Sequence, residues 1–231
     1  MKKPLIVLLL LILFGGAPTA QAAYLYDWSN NPHTSVIDPD DPYPPVPAGT
    51  DILKVLHAYD GGFHYFRMDL EEAPAFTGMS YAFLHGIYIN SKSGGVDGPV
   101  SGYIPNSLTG IDQILDSHYS PYLGGFIQDD FHDNMSGSDP SAWSLTKAQA
   151  PGVFETLKSD GGKTLEWKII DTAIGSTFSW WAATHDVCPT GEITYDVTNR
   201  IDVNPVPIPG AVLLFGSGLL GLLGFKKKLG R

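Results

Sequence analysis

Oxygen-bearing side chains are densest between residues 128 and 139. The run reads Gln128-Asp129-Asp130-Phe131-His132-Asp133-Asn134, followed by Ser136, Ser138 and Asp139. Calcium binds six to eight oxygen atoms, which a flexible loop of Asp, Asn and Ser can offer. We therefore predict a calcium site at Asp129, Asp130, Asp133 and Asp139, with a solvated acidic loop as the alternative. The residue order is not that of an EF-hand, and His132 alone is a weak basis for a transition-metal site.

Aromatic rings on a sheet surface are the second candidate site. Tyr65, Tyr88 and Trp181 fall in strand-like segments, and sugar C–H groups stack on flat rings as apolar groups do. Arg67 shares the face of Tyr65, so these four residues are predicted to bind polysaccharide. The alternative is that the rings pack within the protein. Trp180 adjoins Trp181 and points to the opposite face, so at most one of the two belongs to the core.

Motifs of nucleophilic, metal-dependent or nucleotide-dependent catalysis are not found. The sequence has no G-x-S-x-G, H-E-x-x-H or P-loop. His57, His64, His85 and His185 fall in strand-like segments, where we interpret them as packing residues. We therefore predict that the protein is not an enzyme. A secreted hydrolase that uses His185 and Asp186 is the least favoured alternative.

The segments that would position these side chains are predicted to be β-strands. Residues 51–59 and 63–70 are rich in β-branched and aromatic side chains, and Asp60-Gly61-Gly62 between them is a strong hairpin signal. Alternation in the second strand puts one set toward the core (His64, Phe66, Met68, Leu70) and the other outward (Phe63, Tyr65, Arg67, Asp69). Further strands are predicted over 81–90, 164–170, 177–186 and 192–202, and a capping-box-like sequence predicts a short helix over 109–116.

Many short strands with glycine-rich connections are typical of an antiparallel β-sandwich. We expect a mainly β, jelly-roll-like sandwich over residues 51–204. Residues 23–50 precede it and carry many prolines and several aspartates. Because proline fixes φ and removes a hydrogen-bond donor, this part reads as an extended acidic lead-in along the domain edge.

The N-terminus has the order of a secretory signal peptide. Lys2 and Lys3 precede an apolar run over residues 5–14, and small residues then end at Ala20-Gln21-Ala22. The run is too short for a spanning helix, which needs about 20 residues. Ala20 and Ala22 form an A-x-A site, so residues 1–22 are predicted to direct export and to be removed after Ala22. An uncleaved N-terminal anchor is the alternative.

The C-terminus combines an apolar segment with a basic cluster. Residues 208–225 carry no charge, and a helix of that length extends about 27 Å, close to the hydrocarbon thickness of roughly 30 Å. The basic residues that follow favour the cytoplasmic side; they are Lys226, Lys227, Lys228 and Arg231. This order predicts one transmembrane helix with the body of the protein outside the cytoplasm.

A proline motif stands directly before that helix. It consists of Val206, Pro207, Ile208 and Pro209, with Gly210-Ala211 after it. Motif, apolar segment and basic end, in this order over residues 205–231, closely resemble the PEP-CTERM sorting signal, in particular its Val-Pro-Leu-Pro-Ala variant. The resemblance implies recognition by an exosortase, a membrane-embedded transpeptidase. Ile208 stands in place of Leu and Gly210 in place of Ala, and a plain C-terminal anchor is the alternative.

The strand residues carry a second resemblance. Asp60-Gly61-Gly62 leads into Phe63-His64-Tyr65-Phe66-Arg67, and Glu166-Trp167-Lys168-Ile169-Ile170 and Ile174-Gly175 follow later. This order is similar to extracellular β-sandwiches of the group that includes family-nine carbohydrate-binding modules and DOMON domains. Ile170 stands where the family has proline, and its sugar-clamping tryptophans have no one-for-one match here. The resemblance implies the sandwich fold and, with less detail, a carbohydrate ligand.

The charge of the body excludes nucleic acid as a partner. All 24 acidic residues lie between the two ends, against eight of the 14 basic residues, which gives a net charge of −16. Cys188 is the single cysteine and is expected to be a buried apolar residue. We therefore expect an exported protein, held at the inner membrane or passed on to the cell surface or matrix, that binds polysaccharide. A structural matrix protein with a calcium-stabilised loop is the alternative.

Overall fold

The computed structural model describes residues 24–38, 47, 49–75, 82–100, 103–105, 107–135, 142–147, 150, 152–186 and 194–204. Within these residues the chain forms twelve strands and one short α-helix. In chain order the strands are β1 (Thr34–Ile37), β2 (Ile52–Asp60), β3 (Phe63–Leu70), β4 (Phe83–Asn90), β5 (Gln113–Ser120), β6 (Gly125–Asp133), β7 (Ser144–Lys147), β8 (Phe154–Ser159), β9 (Thr164–Ile170), β10 (Phe178–Asp186), β11 (Thr194–Val197) and β12 (Ile201–Val203). The helix α1 (Asp171–Ile174) connects β9 to β10.

The strands form two antiparallel sheets. The first sheet has the order β1-β2-β3-β9-β8, and the second has the order β11-β10-β4-β5-β6-β7, with β12 also paired to β10. Every pairing between these strands is antiparallel. The predicted mainly β, antiparallel class is therefore confirmed.

The main core lies between the two sheets. Phe66 and Trp167 from the first sheet join Ile87 and Trp180 from the second, and each of these side chains is at most 1% exposed. Burying an apolar side chain contributes about 1.5–3 kcal/mol relative to leaving it in water. Trp181 is half-buried on the opposite face of β10. Only one of the adjacent tryptophans thus belongs to this core, as predicted.

The hairpin predicted over residues 51–70 is confirmed. β2 and β3 pair from Asp60↔Phe63 outward, and Gly61 and Gly62 in the turn have φ of 58° and 83°. Glycine adopts these positive angles without the strain that a Cβ atom causes. Phe66 and the rest of the predicted inner set are buried. The strands predicted over 164–170 and 177–186 are also present, as β9 and β10.

The helix predicted over residues 109–116 is wrong. Residues 113–120 form β5, which pairs with β4 on one side and with β6 on the other. Asp112, which was expected in the first turn of the helix, instead accepts hydrogen bonds from the backbone N–H groups of Ser91 and Lys92. β5 carries polar side chains on both faces, so hydrophobic alternation does not reveal it as a strand.

Two more segments differ from their predicted structure. Residues 125–133 form β6, so the first half of the predicted acidic loop is extended backbone inside the second sheet. The strand predicted over 192–202 is two short strands, β11 and β12, which pair with different parts of β10. Because β5 and β6 are neighbours, the second sheet carries polar side chains near its centre.

Part of the lead-in belongs to the sandwich. β1 pairs with β2 at the edge of the first sheet, and aromatic residues before it pack on the outer face of that sheet. The prolines of residues 39–46, the signal sequence, Cys188 and residues 205–231 lie outside the described residues. In the part of the chain that the structure describes, no helix has the length and apolar character needed to cross a membrane.

Candidate functional site

The carboxylates predicted to bind calcium do not converge. Asp129 and Asp133 point from β6 toward the interior and are roughly 13 Å apart along the strand, whereas Asp130 points to the other face. Asp139 lies outside the described residues. The partners are Ser117, Thr156 and Lys158 for Asp129, and Lys92 and Gln113 for Asp133. The three described carboxylates therefore do not form one ion site.

A different polar cluster lies on the outer face of the second sheet. Asp116 of β5 pairs with Asp130 of β6, and His118 and His132 follow two residues later on the same face of their strands. We call these four residues the β5–β6 cluster. Nε2 of His118 lies 3.2 Å from Oδ1 of Asp116, and Nε2 of His132 lies 3.2 Å from Oδ2. Asp116 is completely buried.

The charges of the β5–β6 cluster are strongly coupled. Burial by itself would raise the pKa of Asp116, but the two imidazoles outweigh burial and hold that pKa at about 2. Burial lowers the pKa of His118, and the Asp116 carboxylate outweighs this effect, so that pKa is raised. From the sequence, Asp130 was predicted as a calcium ligand and His132 was weighed as a transition-metal ligand, whereas Asp116 and His118 were missed. The repeated Asp-x-His spacing, in Asp116-Ser117-His118 and Asp130-Phe131-His132, is the signal that could have found the cluster.

Tyr88 does not present a ring to solvent. Its side chain is completely buried, and its hydroxyl oxygen lies 2.6 Å from Nε2 of His185. Apolar residues of the connection between β4 and β5, from Val96 to Ile111, pack over the ring of Tyr88. The predicted stacking surface at Tyr88 is therefore wrong. Trp181 pairs with Tyr88 and is half-buried, on a different sheet from Tyr65 and Arg67.

The histidines predicted to be packing residues are all buried. His57, His64, His85 and His185 are at most 6% exposed. Nδ1 of His185 lies 2.9 Å from the backbone oxygen of Asp186, and the two side chains leave β10 on opposite faces. His185 and Asp186 are thus not arranged as a histidine–carboxylate pair. Burial lowers the pKa of His185 to about 4.

Tyr65 and Arg67 lie together on the outer face of the first sheet, as the alternation predicts. The N-terminal strap, which we define as residues 24–33, crosses this face. The ring of Tyr26 packs on Tyr65 with centroids 4.9 Å apart, and Trp28 meets Tyr26 edge-on at 4.9 Å. Tyr65 is therefore covered and supports the strap. These strap contacts could not be predicted from the sequence, because residues 24–33 have no strand or helix periodicity.

Glu166 of β9 holds the N-terminal strap in place. Its Oε1 accepts a hydrogen bond from Nε1 of Trp28, and its Oε2 accepts one from the backbone N–H of Leu25, both at 2.6 Å. The side chain is almost fully buried, and burial raises the pKa of Glu166 against the lowering effect of these two bonds. One carboxylate thus fixes two points of the strap on the sheet.

A cleft of about 610 Å³ opens between the strap and strands β2 and β3. Tyr24 contributes an exposed ring, and the guanidinium carbon of Arg67 lies 5.0 Å from the centroid of that ring. The polar side chains that line the cleft are Asp27, Ser29, Asn30, His33, Lys54 and Arg67. Hydrogen bonds from Asn30 and then Ser29 lower the pKa of Asp27. The cleft therefore combines a ring face with charged and amide groups.

Comparison with known proteins does not assign a family. No protein-family model matches the chain, and no curated protein matches it at a significant level. The geometry of the cleft and the residues at the two ends of the chain are therefore the basis for inferring a function.

Proposed function

We propose that this chain is an exported cell-envelope protein whose β-sandwich binds polysaccharide without catalysing a reaction. The observation that carries the proposal is the cleft under the N-terminal strap. A sugar has apolar C–H faces that stack on aromatic rings and hydroxyl groups that need hydrogen-bond donors and acceptors. Both kinds of group line this cleft.

The polar groups of the cleft are held in defined positions. Nε of Arg67 donates to Oδ1 of Asp69 at 2.7 Å, and Nζ of Lys54 lies 3.6 Å from Oδ2 of the same carboxylate. On the strap, Nδ2 of Asn30 donates to Oδ2 of Asp27 at 2.8 Å. Groups that are ordered before binding lose less conformational entropy when a ligand arrives. These side chains therefore favour recognition of a chain of sugar hydroxyls.

The two ends of the chain support an extracytoplasmic role. The signal sequence 1–22 directs export, and the motif Val206–Pro209 with the uncharged apolar segment 208–225 and its basic end directs sorting by an exosortase-like transpeptidase. Export places the acidic body where polysaccharide occurs. A calcium-stabilised matrix protein has less support, because Asp129, Asp130 and Asp133 of β6 point to separate surroundings.

Polysaccharide binding is tested on the full chain, purified in mild detergent. The probes are a glycan array and extracellular polysaccharide extracted from the producing cells, the latter in affinity electrophoresis. We expect Tyr24→Ala to weaken binding about tenfold, because loss of one stacking ring costs about 1.4 kcal/mol. Tyr122→Ala is the matched control, since Tyr122 is 90% exposed in the turn between β5 and β6, on the other sheet. Absence of binding by the unaltered protein, or equal binding by Y24A, would overturn the proposal.

Sorting is tested in the producing cells. Intact mass and membrane fractionation compare the unaltered chain with Pro207→Ala and Pro209→Ala variants, in cells with and without the sorting enzyme. We expect the unaltered chain to leave the inner membrane only when the enzyme is present, and the variants to stay there. A reporter fused after Arg231 should be cytoplasmic before processing. A periplasmic reporter would contradict the proposed topology.

A further inference from the structure

We propose that the β5–β6 cluster binds one divalent first-row transition-metal ion. Its ligands are the carboxylates of Asp116 and Asp130 and the imidazole of His118, contributed by two neighbouring strands. Zinc and related ions accept mixed nitrogen and oxygen ligands, whereas calcium takes oxygen atoms. The cluster lies on the second sheet and the polysaccharide cleft on the first, so this inference and the proposed function can fail independently.

The register of β5 and β6 creates the cluster. Asp116 and Asp130 are direct partners across the pair, and the next outward positions on the two strands are His118 and His132. Because the strands are antiparallel, the two histidines flank the carboxylates from opposite ends. This arrangement brings ligand atoms of Asp116, Asp130 and His118 around one point and places His132 against Oδ2 of Asp116.

The distances between the side-chain atoms fit a metal shell. Four ligands at about 2.0–2.1 Å from a zinc ion in a tetrahedron lie about 3.3 Å from one another. The two separations between Nε2 and the Asp116 oxygens are 3.2 Å. Ligand atoms of Asp116, His118 and Asp130 all lie within 4.8 Å of one another. The side chains are thus close to coordinating geometry before an ion is considered.

The contacts within the cluster do not have hydrogen-bond geometry. Both oxygens of Asp116, Oδ1 of Asp130 and the Nε2 atoms of His118 and His132 are buried and lack a hydrogen-bond partner among the described residues. A short N···O distance without an aligned N–H is not a hydrogen bond. Nitrogen and oxygen atoms that converge in this way are positioned to share a cation.

The charge and surroundings of the cluster favour a cation as well. Like charges directly opposite each other destabilise a pair of strands, and Asp116 and Asp130 stand in that relation. The ring of Tyr103 lies 5.3 Å from that of His132, and Trp143 lies 6.0 Å away, so an aromatic shell limits solvent there. The side chain of His118 remains 12% exposed, which leaves a route for an ion.

A hydrogen bond outside the ligand shell orients one carboxylate. Nε2 of Gln128 donates to Oδ2 of Asp130, which leaves Oδ1 directed toward the cluster. Such outer contacts orient metal ligands and raise metal affinity. Gln128 is therefore a positioning residue in the proposed site.

The test uses the full chain in mild detergent, carrying Cys188→Ser so that the thiol cannot compete for metal. After treatment with a chelator, the protein is titrated with Co²⁺ and followed by its visible d–d absorption, and Zn²⁺ is then added in competition. We expect one equivalent of Co²⁺ per chain, displaced by Zn²⁺, and a higher Tm with Zn²⁺. His118→Gln and Asp116→Asn should each weaken binding at least tenfold.

Asp129→Asn is the matched control, because Asp129 lies next to Asp130 on β6 and points to the opposite face. This variant should keep one equivalent of Co²⁺, even where loss of its ion pair with Lys158 lowers the Tm. His118 is partly exposed, so H118Q keeps the test valid where D116N fails to fold. No binding by the parent chain, binding by H118Q as tight as by the parent chain, or loss of the metal in D129N would overturn the proposal.

Discussion

Replacing His85 with glutamine should reduce the loss of unfolding free energy that the protein shows as the pH falls from 7 to 5. His85 faces the interior from β4 and is completely buried, and its Nε2 donates to the carbonyl oxygen of Gly49 at 2.7 Å. Burial lowers the pKa of His85 from 6.5 to about 4, against the smaller raising effect of carbonyl contacts. Between pH 6.5 and about 4 the imidazole is therefore neutral in the folded protein and protonated in the unfolded chain.

The magnitude follows from proton linkage. Between pH 6.5 and about 4 the unfolded chain binds a proton at His85 and the folded protein does not. The free energy of unfolding therefore falls as the pH falls, by about 1.4 kcal/mol per pH unit. The contribution of the neutral His85 imidazole to the free energy of unfolding is complete above pH 6.5. It is reduced by about 2 kcal/mol at pH 5 and by about 3 kcal/mol near pH 4.

The assay is urea unfolding of the full chain at pH 7 and pH 5, followed by tryptophan fluorescence. We expect H85Q to lose about 2 kcal/mol less than the unaltered protein between the two pH values, since glutamine does not titrate and can still donate to Gly49. His33→Gln is the matched control, because His33 is exposed, and it should lose as much as the unaltered protein. Equal losses for H85Q and the unaltered chain would refute the reasoning.

Two further predictions concern stability. Glu166→Gln should lower the free energy of unfolding by about 1–3 kcal/mol, because its NH2 group would face one of the two N–H donors and could not accept its hydrogen bond. Limited proteolysis should then cut the strap faster. Glu155→Gln, at a partly exposed ion pair with Lys168, should cost less than about 1 kcal/mol, and equal effects would contradict the role assigned to Glu166. Trp180→Ala should cost about 3–5 kcal/mol in urea unfolding, since Trp180 fills the core between the sheets. Trp181→Ala should cost less than Trp180→Ala. A larger loss for Trp181→Ala would contradict the assignment of Trp180 to the core.

Local patterns predicted the elements whose side chains alternate. The hairpin over 51–70 has a glycine turn between two strands that are apolar on one face, so its ends and its buried face could be read directly from the residues. The strand at 164–170 was found for the same reason. β5 and β6 were not found, because Asp116 and Asp130 occupy outward positions of central strands, where a covering segment buries them. Nothing in the local pattern predicts that cover.

The sequence by itself determined the β class, the acidic character of the body and the hairpin, because composition and side-chain alternation are properties of short stretches of chain. Tertiary structure alone decided which distant residues meet. Strand register brings Asp116 of β5 beside Asp130 of β6, and one carboxylate on β9 fixes the strap 138 residues earlier in the chain. Register and strap placement depend on packing between whole sheets. The candidate metal centre and the cleft therefore became visible only in the folded protein.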